Sequence, residues 1–368
     1  MGGLEFGEMT MRDESPMSAY EASAWQALAE QAQRPDSEPG RYETLFRGGR
    51  EQLRSAADRA AQTMKRLPGA EQIIEVLDAT TKKALAGLHV AFVERGLNSV
   101  SQVAIFKSFD KQGVRVSSFD EIRTLDLQRC DQTMPKRKER YLLLAAAQGA
   151  LTAAVVTGTE VATRKADGVT LRVVAAAVAA DVSAVMVGMG RIVGLVGAHY
   201  GYDVRLPEEQ VFATGVLAYS TATGAAEKSA SLAALSRLTQ LMMGRATWAQ
   251  LGKHQMVKII QRVVTTLGFK LTKKKLAQAV PIAGVVVNGG MNAFLANNTF
   301  RSAQQAYRLR FLTEKYGLDA ENWSPDMVDA EFTDLPLIDE IVEAELANEL
   351  PENDPTDETG AGNDELRG

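Results

Sequence analysis

An all-α fold follows from three observations on the 368-residue sequence. Apolar residues make up 45% of the chain but aromatics only 6%; Ala, Val, Leu and Gly supply the rest, a mixture suited to closely packed helices. Apolar positions recur at helical spacing along most of the chain, and no convincing stretch alternates as a half-buried strand does. The expected architecture is a compact multi-helix domain over residues 18–324, with long apolar Ala/Gly-rich helices. A disordered N-terminus, residues 1–17, precedes it, and an acidic tail, residues 325–368, follows.

The elements follow in order. Met1–Glu14 alternate glycine, acid and methionine, with no basic or apolar region of a secretory signal. Ser18–Gln33 is predicted helical, with Tyr20, Ala24, Leu28 and Ala32 on one stripe. Pro35 to Gly40 breaks it. Helical periods return at Gln52–Arg66 and from Ala70 through Arg95, ending near Asn98. Asp110–Arg115, with Gly113, reads as a turn, Val114–Ser118 as a short extended piece and Phe119–Leu127 as a short helix or loop.

The second half is more apolar. A basic entry at Pro135–Arg140 leads into Tyr141–Thr159, which carries no charge. After a break at Arg164–Gly168 comes Val173–His199, apolar nearly all round, as a buried or membrane helix is. Its Gly190 and Gly194, with Ala198 four further on, let another backbone approach closely. Its two charges are Asp181 and Arg191. A helix offset of ten residues puts them about 15 Å apart along the axis and on different faces, so each is expected to be buried against a partner from another helix; Asp203 is the third candidate for a buried polar residue. Glu208–Ala222 is predicted helical, with Pro207 at its first position. Beyond it, breaks are expected near Gly244, Gly268 and Gly289-Gly290. Leu337–Leu350 reads as one acidic amphipathic helix, and the last 18 residues as disordered.

Charge is unevenly placed. The net charge is −5, yet Pro325 to Gly368 carries fifteen acids against Arg367, which leaves +9 on the body. Lys228 to Thr313 holds thirteen Lys and Arg and no acid. Within it, Lys270, Lys273, Lys274 and Lys275 stand beside Leu276–Phe300, 25 residues without a charge. A basic collar next to an apolar, Gly-rich segment suits an anionic membrane surface. A solvated helix face and docking of the acidic tail are the other readings of the same charges. Few aromatics are interleaved for base stacking, which argues against a nucleic-acid partner. The single cysteine, Cys130, excludes an internal disulfide framework and fits a reducing, cytoplasmic setting. The histidines, His89, His199 and His254, share no metal-ligand spacing, so no metal is expected. Neither a phosphate-cradling glycine loop nor a nucleophile elbow occurs, and no cofactor is expected.

Several patches together resemble the EcsC family of bacterial proteins. They are Tyr20-Glu21 with Ala24; Gln148-Gly149 with Thr157-Gly158; and Asp181, Arg191 and Tyr200-Gly201-Tyr202-Asp203 with Pro207-Glu208. The last comprises Lys273–Lys275, Val280-Pro281, Gly284, Gly289, Asn292 and Arg310. The resemblance spans roughly Ser18–Tyr316. It departs at Glu160, Arg164 and Lys165, where the family is richer in glycine, and at the acidic tail. It implies an all-helical cytoplasmic or membrane-associated protein and carries over no catalytic residue.

The expectation from these readings is a non-enzymatic protein bound peripherally to anionic membranes through Lys270, Lys273, Lys274 and Lys275, with Leu276–Phe300 inserting shallowly. The Leu337–Leu350 helix would mask that face. One alternative is a hydrolase-like enzyme with an apolar pocket near Asp181, His199 and Asp203. Asp181 and His199, 18 residues apart, stand about 27 Å apart on a helix, too far to act on one atom. The other is an interaction scaffold whose tail residues Leu337, Ile338, Ile341, Val342 and Leu346 enter a protein partner's groove.

Overall fold

The computed structural model describes residues 17–33, 87–134, 168–222, 225–243, 260–261, 263–268, 271 and 284–318. Among these residues the regular structure is helical, with no strand. The expected helices at 52–66, 70–86 and 141–159, the lysines at 270 and 273–275, and the tail lie outside the described residues.

Among the described residues the α-helices with defined limits are α1 (Ala19–Gln33), α2 (Gln102–Asp110), α3 (Phe119–Arg123), α4 (Leu127–Thr133), α5 (Gly168–His199), α6 (Pro207–Thr221), α7 (Ala225–Met243) and α8 (Gly284–Tyr316). A π-helical turn, Val90–Glu94, and a 3-10 turn, Leu97–Ser99, precede α2. The long helices α5 and α8 pack together at the centre. Helix α6 lies against both, and α7 lies against α6 and α8. The π and 3-10 turns cover another side of α5, while α1 and α4 close over α8.

Helix ends follow local chemistry. Helix α6 begins with Leu206 as N-cap and Pro207 inside the first turn, where a missing N–H costs nothing. Glu208 and Glu209 occupy that turn. Helix α5 ends in a Schellman motif. The Tyr202 N–H donates to the Gly197 carbonyl at 3.0 Å and the Gly201 N–H to that of Ala198 at 3.2 Å. Gly201 stands at φ 87°, the left-handed geometry this closure needs. The turn at Gly113, φ 76°, is as expected from sequence.

Two short helices escape the periodicity reading but carry caps. Ser101 accepts from the Ala104 N–H at the start of α2, and Asp126 from the Gln128 N–H at the start of α4. The expected break at Gly289-Gly290 does not occur; α8 runs through it unbroken. Each interior glycine costs about 1 kcal/mol of helix propensity. Burial further along the same helix, of Leu295, Ala296, Phe300, Ala303, Ala306, Tyr307 and Leu309, outweighs that.

The GxxxG spacing on α5 does what it predicts. A Cβ on Gly190 would lie 2.3 Å from the Phe92 carbonyl oxygen and 3.1 Å from the Gly96 Cα. One on Gly194 would lie 3.1 Å from the Leu97 carbonyl oxygen. The π and 3-10 turns thus pack backbone to backbone on α5. On the side facing α8, a Cβ on Gly197 would fall 2.7 Å from Tyr307 Cζ.

By length and composition Ala179–His199 could cross a membrane, but 61% of its most apolar window is buried inside the body. The central helix of a helical core has the same character.

Candidate functional site: an ionic seam along the last turns of α8

The polar chemistry of the described core gathers on the C-terminal part of α8. Arg310 is 2% exposed. Its Nη1 and Nη2 donate to Glu209 Oε2 and Oε1 at 2.7 and 2.8 Å, a bidentate pair to α6. Its Nε donates to Glu314 Oε1 at 2.6 Å. The guanidinium carbon sits 4.0 Å from the Tyr202 ring centroid and 4.4 Å from that of Phe212. The cation is therefore paired along its edges and stacked on its faces. Burial works against its charge, but Glu209, Glu314 and Tyr202 together raise its pKa well above the ordinary arginine value. Burial raises the Glu209 carboxyl as well, against Arg310; the two short bidentate bonds identify the pair as ionised.

Two residues before Arg310, Arg308 reaches Asp131 of α4, which accepts from Tyr20 Oη at 2.7 Å, Tyr200 Oη at 2.6 Å and Arg308 Nη2 at 2.9 Å. Burial, then Asp131, raises the phenol of Tyr200 well above its ordinary value, so it stays a neutral donor. Glu21 of α1, 1% exposed, forms a third node. Its carboxylate accepts from Lys315 Nζ at 2.8 Å, Tyr316 Oη at 2.5 Å and the Leu127 N–H at 3.0 Å. Burial opposes that charge, but these donors outweigh it and hold the carboxyl below the ordinary glutamate value. A group with a depressed native pKa stabilises the fold above its unfolded pKa, and loses that effect as pH falls through the native value. The stability difference between the natural chain and Glu21→Gln is therefore expected to shrink as pH falls below the ordinary glutamate range. Urea midpoints measured from pH 7 down to pH 3 check this.

The residues singled out from sequence take different places. Asp181 is buried on α5, and Asn292 Nδ2 of α8 donates to its Oδ1 at 3.5 Å. Arg191, expected to be buried, is exposed. It follows Gly190, which faces the packed turns, so it points about 100° away around the helix and keeps its charge in water. Asp203, also expected to be buried, is partly exposed, because its partner, the exposed Arg205, lies two residues on in the same connection and pairs with it at 2.6 Å. His199 is buried, and its Nδ1 donates to the Leu195 carbonyl at 2.7 Å; burial lowers its pKa. Asp181 and His199 lie at separate levels of α5, so the structure brings together no catalytic group from them. Lys270, Lys273, Lys274 and Lys275 lie outside the described residues. Cys130 is buried. Among the described residues no group of three metal-ligating side chains occurs.

Sequence reasoning did not find the seam. Arg308 and Arg310 count there as part of a basic run. Glu209 and Asp131 lie 101 and 177 residues from their respective arginines. The local signal was the Tyr200-Gly201-Tyr202 turn, which places one phenol at Asp131 and one ring on Arg310.

Two central helices packed together and sealed by buried ion pairs define the described core as a helical bundle. Residues 173–312, from α5 to α8, match the sequence model of the EcsC protein family. No curated protein and no solved structure matches the chain.

Proposed function

We propose that this protein is a non-enzymatic, cytoplasmic member of the EcsC family that associates peripherally with anionic membranes. Lys270, Lys273, Lys274 and Lys275 meet the headgroups. The observation that carries this reading is the acid-free run from Lys228 to Thr313, with its lysine cluster beside an uncharged, Gly-rich segment. Each lysine near an anionic surface contributes on the order of 1 kcal/mol, falling with salt.

Arg308 and Arg310 spend their charge inside the body, on Asp131, Glu209 and Glu314. They are therefore excluded from the membrane face, whereas Arg301 is exposed. Asn292, Leu295, Ala296, Thr299 and Phe300 are buried. Leu276–Phe300 is the segment expected to insert shallowly; the burial of these residues speaks against their taking part in it, and insertion is kept for the rest of the segment.

Replacing the four lysines together by glutamine tests the assignment. Affinity for vesicles rich in anionic lipid is expected to fall by about 10²–10³-fold at low salt, allowing for incomplete additivity. Unchanged affinity would remove these residues from the interface. Deleting Pro325–Gly368 is expected to raise low-salt affinity, because the tail's net charge of −14 competes for the same lysines.

A further inference from the structure

We infer that the tip formed by the first turn of α2 and the connection into α6 is a second membrane contact, whose apolar side chains enter an anionic bilayer while the lysines behind them meet the headgroups. This rests on the membrane reading above and adds to it an apolar contact within the described fold. Val103 is 75% exposed and Leu206 45%, the two most exposed large apolar side chains among the described residues. They belong to different elements, yet they stand together. Arg205 Nη2 donates to Gln102 Oε1 at 2.8 Å, so the residues that precede Leu206 and Val103 are bonded to each other. Gln210 Nε2 donates to the Arg205 carbonyl at 3.3 Å and ties the connection to α6. Ser101 accepts from the Ala104 N–H, which closes the turn that carries Val103. Polar bonds thus hold two exposed apolar side chains at one point.

Size and charge select a bilayer as the occupant. The apolar part of the tip is Val103, Ala104 and Leu206, all exposed. A stable protein interface takes about 20–30 residues a side, whereas a bilayer accepts single protruding side chains at its headgroup–acyl boundary. Lys107 and Lys111 follow Val103 at intervals of four, on the same face, and both are exposed. Along the helix axis they lie about 6 and 12 Å behind it. The headgroup layer is about 5–8 Å thick. With the N-terminal end of α2 foremost, Val103 reaches the acyl boundary, Lys107 lies among the headgroups, and Lys111 lies just outside them, within a Debye length. The acids of α2, the connection and the first turn of α6 oppose this little. Asp203 is paired with Arg205 and Glu209 with Arg310. Glu208 is half-buried, and Asp110 lies two turns behind Val103, next to Lys111.

Val103→Cys and Leu206→Cys, each in the full-length chain and labelled with an environment-sensitive fluorophore, read the contact. Cys130 is buried, and the natural chain treated alike is the blank. Ala27→Cys, at an exposed position on α1, is the control. With vesicles of phosphatidylcholine and phosphatidylserine, the labels at 103 and 206 are expected to shift to the blue and to be quenched by spin-labelled acyl chains. The label at 27 is expected to do neither. Val103→Asp combined with Leu206→Asp is expected to weaken vesicle affinity by at least about tenfold. Aspartate suits both places, the N-cap of α6 and the first turn of α2, and circular dichroism confirms the fold. Flotation of the natural chain separates this inference from the reading it rests on. If the natural chain floats but the labels at 103 and 206 do not shift, or the double variant binds as tightly, the inference is overturned and the lysine reading stands. If the natural chain does not float with anionic vesicles, both fall. Shifts that arise without vesicles and grow with protein concentration assign the tip to a second copy and also overturn it.

Discussion

Replacing Glu209 by alanine is expected to cost about 3–5 kcal/mol of folding stability, because it strands a buried guanidinium. Arg310 then keeps Glu314 alone, and the bidentate bonds at 2.7 and 2.8 Å disappear. Water cannot substitute, since Arg310 is 2% exposed and stacked between Tyr202 and Phe212. Removing both partners has a different expected outcome. Glu209→Leu with Arg310→Met takes away the charge along with its counter-charge, and buried pairs replaced by apolar side chains of similar volume often lose little. Glu314 survives that change, being partly exposed and still receiving the Tyr202 hydroxyl at 3.1 Å. The double variant is therefore expected to be markedly more stable than Glu209→Ala. Urea unfolding of both, with midpoint and slope reported together, checks the order. Equal losses would mean that side-chain packing around Glu209, rather than the stranded charge, sets the cost.

The second large effect is expected at the glycines of α5, where two positions in one helix should respond with opposite sign. Gly190→Ala drives a methyl group against the Phe92 carbonyl and the Gly96 Cα, both backbone atoms that cannot rotate away. Overpacking of this kind costs about 1–3 kcal/mol even when the helix gains propensity. At Gly188 an added Cβ meets nothing within 4 Å. Gly188→Ala is therefore expected to stabilise the chain by up to about 1 kcal/mol. Thermal midpoints of the two variants read the difference directly. A neutral Gly190→Ala would contradict the close approach of the π and 3-10 turns to α5, and a destabilised Gly188→Ala the open space beside that position.

What was legible in the sequence is what depends on neighbours along the chain. The spacing of Gly190 and Gly194 identified the close face of α5 without naming its partner. Pro207 marked the start of α6, and Gly113 a turn. Failures arose where distant residues decide. Arg191 looked like a buried charge because its helix is apolar nearly all round; its exposure depends on which side Phe92–Leu97 packs. Gly289-Gly290 looked like a break because local propensity opposes a helix there, and the core contacts of Leu295 to Leu309 override it. Arg308 and Arg310 looked like members of a basic surface because their carboxylates come from α4 and α6, far away in the chain. Tyr20 stood out on the stripe of its helix, and Glu21 only through a family resemblance. Their role as the grip of α1 depends on Lys315, Tyr316, Asp131 and Arg308, which no spacing relates to them. The fold class was thus readable from composition and period, whereas the ionic seam required the tertiary arrangement.

The four lysines and the segment after them make the membrane the central expectation for function. Flotation of the full-length chain with vesicles tests it most directly, comparing neutral with anionic lipid at low and at high salt. Binding to anionic vesicles alone, lost as salt rises, is the result expected of a cationic collar. Failure to float under any condition, with the acidic tail present or removed, would contradict membrane association. Equal binding to neutral vesicles would contradict the role given to Lys270, Lys273, Lys274 and Lys275.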